Sequence, residues 1–415
     1  MINQKFELND NFKEIIRDFE NYSNHLFITG KAGTGKSSLI NYIRKKTKKN
    51  LVVLAPTAIA ALNINAKTIH SFFNFPFHAL TKNDIKKHYN RRLINKIDSI
   101  IIDEVSMLRP DILDAINYTL QLTRGNDKPF GGIQIILVGD LFQLPPVITS
   151  DDAEVMEKLY PEGQFFFNSD IINTLDLIKY ELKKVYRQKD KKLIELLDKA
   201  RTSVLEDDDL AEFNKRVITD TNEIPSEIIT LSPTNNRVNN INSSNLKKIE
   251  NDEFSYKAEQ DGNFSGNPVA DNLKLKVGAQ VMLTKNGKNW VNGTLAIIDK
   301  LTKNNIYIRL RDEIYKLEKE KWEKFNYKIS DNKIIPSVSA TFIQYPLKLA
   351  WAATIHKCQG QTFENVIIDM DYGAFAHGQT YVALSRVISL KGLHLRRSLT
   401  KDDFIFNQQI QGFLN

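Results

Sequence analysis

A glycine-rich run ending in Lys and Ser, GKAGTGKS at Gly30–Ser37, and an adjacent acid pair, Asp103-Glu104, are the residues of this chain best suited to chemistry. Backbone N–H groups from Gly30, Ala32, Gly33, Thr34 and Gly35 through Lys36, Ser37 and Ser38 can curl around phosphate oxygens, and Lys36 can reach the β and γ phosphates. Ser37 and Asp103 offer a hydroxyl and a carboxylate to Mg²⁺, and Glu104 can polarise an attacking water. A third loop, GDLFQLPPV at Gly139–Val147, carries Gln143, an uncharged group able to hydrogen-bond a γ-phosphate or that water, and Asp140, a turn former or a support for the metal shell. Taken singly, a glycine turn, an acid pair or a loop glutamine is ordinary surface. Together they make a cradle for ATP with Mg²⁺.

Such groups converge only if strands deliver them to one edge. Leu26–Thr29 reads as a buried strand before the glycine loop and Ser38–Ile43 as a helix opening after it, while Leu51–Leu54, Ser99–Ile102 and Gln134–Val138 read as further strands alternating with helical patterns. That alternation predicts a parallel sheet covered on both faces. A second such pattern surrounds Asn365–Asp369, and between the two Val277–Lys333 turns β-rich, with Asn-Gly pairs at 286–287 and 292–293 that mark hairpins. The 415 residues suit two to three domains. A net charge of +7 and pI near 9.0 suit a polyanionic partner. One cysteine, Cys358, excludes an internal disulfide framework and suits a reducing cytoplasm, and it reads as packing, with no neighbouring metal ligands. Neither a targeting segment nor an apolar run long enough for a bilayer is visible, so no membrane partner is expected.

GKAGTGKS, APTAIAAL, TIHSFF, IIDEVSML, GDLFQLPPV, VYRQ, LSPTNNRVNNIN, WAATIHKCQGQTFENV and YVALSRV, in this order, resemble the B-type helicases of superfamily one, above all the PIF family, with RecD and the phage Dda helicase as relatives. The resemblance implies an α/β fold of two RecA-like parallel-sheet domains. The first, 1–180, would carry a small insertion at about 68–95, and the second, 181–415, an SH3-like β insertion at about 291–343. It implies ATP-dependent 5′-to-3′ movement on single-stranded DNA, unwinding of forks and partial duplexes, and by analogy of G-quadruplexes and DNA–RNA hybrids. The expected particle is a monomer, with pairing on DNA as the alternative, in a bacterial-type cytoplasm at the nucleoid. Two readings compete: a single-strand-dependent ATPase that moves without unwinding, and a B-type RNA helicase.

The same resemblance assigns further residues. Arg187 and Arg386 match arginines that would stabilise charge on the transferring phosphoryl group, though either could be a structural salt bridge. His356, Lys357, Gln359, Gly360 and Thr362 fall in the coupling element, with Gly360 expected near the nucleotide through close backbone approach and Gln361 where relatives carry an apolar residue. Pro56, Thr57, His70, Phe72, Thr234, Asn235, His356 and Thr362 would hold DNA, Thr57 and Thr234 at analogous strand ends. At least half of Phe72, Phe73, Phe75 and Phe77 should be core. The Phe73–Arg92 segment is the expected wedge, its basic run Lys86–Arg92 a solvated helix face or a phosphate track, and Val291–Phe342 a clamp. One departure is clear. LNDNF at Leu8–Phe12 has no glutamine where relatives read adenine, leaving Asn9, Asn11 or Gln4 as substitutes, or a relaxed base selectivity.

Overall fold

Six parallel strands form the first sheet: β1 (His25–Gly30), β2 (Leu51–Ala55), β3 (Lys67–Thr68), β4 (Ser99–Ile102), β5 (Gln134–Gly139) and β6 (Leu177–Leu182), in the order β3-β2-β4-β5-β1-β6. The computed structural model describes residues 9–186, 188, 190–220, 225, 227–264, 266–330 and 333–414. Successive residues of the central strands serve two cores, as the pleat requires. Phe27, Ile100, Ile102, Ile135 and Leu137 pack on one face, and Leu26, Ile28, Ile101, Ile136 and Val138 on the other. Continuous apolar runs therefore mark strands buried on both sides.

A second parallel sheet orders Ala352–Thr354, Ile229–Ser232, Val366–Ile368 and Leu393–Leu395. Antiparallel strands lie between its first two members in the chain. Glu313–Leu317, Ile306–Leu310, Leu295–Leu301, Gln280–Leu283 and Leu347–Leu349 make one five-stranded sheet around its own core of Val281, Ile298, Ile306 and Ile308. The sequence reading differs here in three details. The β-rich part opens before Val277, at the Glu253–Lys257 strand. Both Asn-Gly pairs sit in one connection, between Gln280–Leu283 and Leu295–Leu301, rather than in separate hairpins. Position 180 falls inside β6, whose Glu181 and Leu182 still pair with β1.

Within 68–95 the chain is mostly irregular, flanked by short helices at Ile69–Phe73 and Arg91–Lys96. What fixes it is charge rather than regular structure. The buried Arg109 binds Asp111, Asp152 and the His78 carbonyl, while Asp152 and Asp111 accept the Ala79 and Leu80 N–H groups. The basic run at 86–92 is not a helix face: its helix begins at Arg91, and His88 is buried against the Phe72 carbonyl.

Two long-range contacts tie the parts together. The Glu320–Ser330/Lys333–Gln344 hairpin reaches back to the first sheet, where the Tyr327 hydroxyl accepts from Val53 N and donates to Val53 O, both at 3.2 Å. The Gln409–Leu414 helix likewise returns to that sheet, its Phe413 ring meeting Phe27, Phe166 and Phe167. Among the described residues no helix is long and apolar enough to cross a membrane.

Phe72, expected at a DNA surface, is instead core: it is 1% exposed and packs against Phe73, His88 and Tyr327. Phe73 and Phe75 are buried beside it, whereas Phe77 is 85% exposed. Phe72→Ala should therefore cost about 3–5 kcal/mol of stability, visible as a lower thermal midpoint. An unchanged midpoint would contradict the burial.

Candidate active site and nucleic-acid groove

The glycine loop joins β1 to the Lys36–Lys46 helix, and its shape follows from its glycines. Gly33 and Gly35 sit at φ 82° and 93°, which residues with a Cβ rarely adopt. At Gly30 a Cβ would lie within 2.9 Å of Thr34 and Leu182 atoms, so only glycine lets the loop close down on β6. Lys36 Nζ donates to the Gly30 and Lys31 carbonyls, and burial pulls its pKa down against the opposing pull of Asp140, Glu104 and Asp103.

The two acids end β4. Burial, then the charge of Glu104, pushes the Asp103 carboxyl up to about 7. Glu104 stands at φ 51°, a left-handed conformation unusual for a non-glycine residue and characteristic of sites that hold strain. Gln143, 5% exposed after β5, donates through Nε2 to Asp140 Oδ2 at 3.1 Å. A hydroxyl at Ser37 and a carboxylate at Asp103 are hard oxygen donors, the small set Mg²⁺ takes from a protein when phosphates and waters supply the rest. Among the described residues no cluster of three His, Cys, Asp or Glu side chains forms an all-protein metal cage.

Elements of the second sheet's half complete the cleft. Asp198 pairs with Lys31 at 2.6 Å, the Tyr381 hydroxyl bonds the Ala32 backbone, and Gln359 Nε2 donates to both Glu104 Oε2 (3.2 Å) and Gln143 Oε1 (3.0 Å). Asp140 holds its own turn, accepting from Phe142 N and, through its carbonyl, from Gln143 N, and its carboxylate also pairs with Arg201 at 3.0 Å. Burial opposes the charge of Asp140, yet Arg201 and Lys36 outweigh it and hold its pKa below the usual range. The Arg201 guanidinium also lies 3.8 Å over the Phe142 ring, and its charge reaches Lys36.

Arg386 is fully buried, and its guanidinium donates to the Val382, Cys358 and Gln361 carbonyls and to Ser385 Oγ. It thus grips both sides of Gln359, the residue that reaches the acid pair. Arg187 lies outside the described residues; its neighbour Gln188 donates to the Ser385 carbonyl at 3.0 Å. Gly360 is exposed, with no protein atom near its Cβ position, and its φ of 82° supplies a left-handed bend directly after Gln359. Asn9 caps its helix and Asn11 donates to the Glu181 carbonyl, so both are engaged in local structure. Gln4 lies outside the described residues.

The residues expected to hold nucleic acid divide by sheet. Pro56, Thr57 and His70 line one cavity of about 310 Å³, together with Lys67, Phe77 and, from the docked hairpin, Lys324. His70 and Phe77 stack there with centroids 4.9 Å apart, a platform with one open face. Burial, then the charge of Lys324, pulls the Lys67 ammonium down to about 8. In both halves a strand is followed by Pro-Thr and a helix: Thr57 caps Ala58–Asn63 and Thr234 caps Asn235–Lys248, each hydroxyl accepting an N–H and leaving its own proton free to donate. Asn235 is exposed at that helix start, and His356 follows the Ala352–Thr354 strand, hydrogen-bonded alongside Ile229–Ser232. Thr362 is half-buried beyond the coupling loop.

The PIF1-like helicase profile matches residues 6–216. This chain belongs to the PIF1-like helicase family. It is 31% identical to "ATP-dependent DNA helicase Pif1" of Campylobacter jejuni over 87% of this chain and 86% of that one. The Bacteroides Pif1 structure in complex with ADP-AlF4 superposes with a TM-score of 0.90 at 35% identity, covering 98% of this chain and 96% of the other. Against Bacteroides Pif1 bound to ssDNA, at the same identity and coverage, the TM-score is 0.72. This PIF1-like helicase thus has its parts arranged more nearly as in the first form than in the second.

Sequence reasoning missed Arg201, Asp198, Tyr381 and Phe77 as members of these sites. Removing one partner of a buried ion pair typically costs about 3–5 kcal/mol, whereas replacing both with apolar groups costs far less. Arg201→Ala should therefore lower the thermal midpoint markedly, and Arg201→Met combined with Asp140→Leu should recover most of it. Equal midpoints for the single and the double variant would break the pairing.

Proposed function

We propose that this chain hydrolyses ATP, with Mg²⁺, to step 5′-to-3′ along single-stranded DNA and to open forks and partial duplexes. The observation that carries it is the shared cleft: the phosphate loop and acid pair of the first sheet face Gln359, Tyr381, Asp198 and Arg201 from the second half. A site split between two lobes makes nucleotide occupancy and lobe geometry one variable.

In this reading residues 1 to about 182, with the 68–95 insertion, form one lobe, and the remainder, with its β insertion, the other. Lys36 and the loop N–H groups hold the β and γ phosphates, Glu104 takes the proton of the attacking water, and Gln143 senses the γ-phosphate. Ser37 and Asp103 hold Mg²⁺, which when bound neutralises charge on the phosphate oxygens. Arg386 and Arg187 stabilise the transferring group, Arg386 by exchanging the carbonyls it now grips. Thr57, Thr234 and His356 grip phosphates at strand ends of the two lobes, and the His70–Phe77 stack receives a base. Alternating grips convert closure into movement. Separating a base-pair step costs about 1.4 kcal/mol, so one hydrolysis per nucleotide suffices. We place the protein in the cytoplasm at the nucleoid, working as a monomer on each strand.

Unwinding assays on partial duplexes with a 5′ or a 3′ overhang test activity and direction together. The 5′ substrate should open, the 3′ substrate should not, and Lys36→Ala should abolish turnover while keeping single-strand binding. Opening from the 3′ overhang, or turnover surviving in Lys36→Ala, would refute the proposal. Phe77→Ala should weaken single-strand affinity about tenfold or more, since stacking contributes about 1–3 kcal/mol per base. The measurement is fluorescence anisotropy at fixed salt, with an unchanged thermal midpoint as control.

A further inference from the structure

We infer that Gln359 is a clasp: in the chain without DNA it holds the Glu104 base and the Gln143 sensor in an unreactive arrangement, and strand binding to its own loop releases them. The inference rests on the reading of Glu104 as the base.

The hydrogen-bond inventory is the argument. A glutamine amide nitrogen carries two protons, and Gln359 Nε2 makes two contacts, to Glu104 Oε2 at 3.2 Å and to Gln143 Oε1 at 3.0 Å. Gln143 Nε2 is turned the other way, donating to Asp140 Oδ2 at 3.1 Å. An unbroken chain of donors thus runs from Gln359 through Gln143 to Asp140, which Arg201 pairs in turn. With one amide proton on Asp140 and its oxygen on Gln359, the Gln143 amide is fixed in one orientation, and turning that oxygen toward an attacking water requires the Gln359 contact to break. With Gln359 Nε2 at 3.2 Å, Glu104 Oε2 is turned toward the clasp rather than toward a water.

The clasp comes from the loop that faces nucleic acid. Gln359 ends the single turn His356–Cys358, so the phosphate-gripping His356 and the clasp lie three residues apart on one rigid piece. Arg386 fixes that piece from both sides through the Cys358 and Gln361 carbonyls, and Gly360 at φ 82° lets the chain turn away immediately after Gln359. A phosphate drawing on His356 or Thr362 therefore moves the Gln359 amide as well. Gln359 acts through Glu104 and Gln143 and is a positioning residue.

ATP turnover is measured with and without single-stranded DNA for the parent chain, Gln359→Ala, Gln359→Met, which keeps the bulk without the donor, and Glu104→Gln. The clasp requires DNA-free turnover to rise about tenfold in both Gln359 variants, the scale of one hydrogen bond to a charged group, while DNA-stimulated turnover stays within about twofold. The stimulation ratio then collapses. Unchanged DNA-free turnover in both Gln359 variants, with Glu104→Gln inactive, overturns the clasp and leaves the base reading standing. An equal fall with and without DNA overturns it as well, by making Gln359 necessary for the chemistry. Full turnover in Glu104→Gln removes the base reading and the clasp with it.

Discussion

Burial of an ammonium among three carboxylates is the constraint on which the rest depends. Lys36 feels Asp140, Glu104 and Asp103, and Arg201 is the second cation within reach. In a medium poorer than water at screening charge such groups stay ionised only with partners close by. Asp140 has Arg201 and keeps its charge easily; Asp103 has a like charge beside it and does not. Burial and the charge of Glu104 outweigh the Lys36 and Arg44 charges that favour an ionised Asp103.

The same economy shapes the candidate nucleic-acid groove: in each parallel sheet one strand is followed by a proline and a capping threonine, and the two endings repeat across the halves. The first ending is roofed by the docked hairpin, whose Tyr327 occupies Val53 backbone groups at the thinly paired margin of the sheet, where β3 bonds only Leu54 and Ala55 of β2. The cavity of Thr57, His70 and Phe77 is thus walled by residues from opposite ends of the chain.

What could be read without coordinates was whatever chemistry is local in sequence. The glycine loop, the acid pair and the glutamine loop each follow a buried strand directly, and strand burial is written in continuous apolar runs. Partners distant along the chain leave no such trace. Arg201 and Asp140 are 61 residues apart and Gln359 and Glu104 are 255 apart, and nothing near any of them announces the contact. The aromatic run shows the same limit in miniature: Phe72 and Phe77 share composition, and only packing against Tyr327 decides that one is core and the other a platform. At Gly360 the sequence likewise does not show that the residue bends left-handed, at φ 82°.

The Gln409–Leu414 helix gives the two halves a second joint. One covalent crossing leaves β6 through Tyr186, whose N–H bonds the Gly33 carbonyl; the other returns when Phe413 wedges among Phe27, Phe166 and Phe167. Tyr186 meets the loop that follows β1 and Phe413 meets β1 itself, so the strand that carries the phosphate loop is also the strand on which both joints bear.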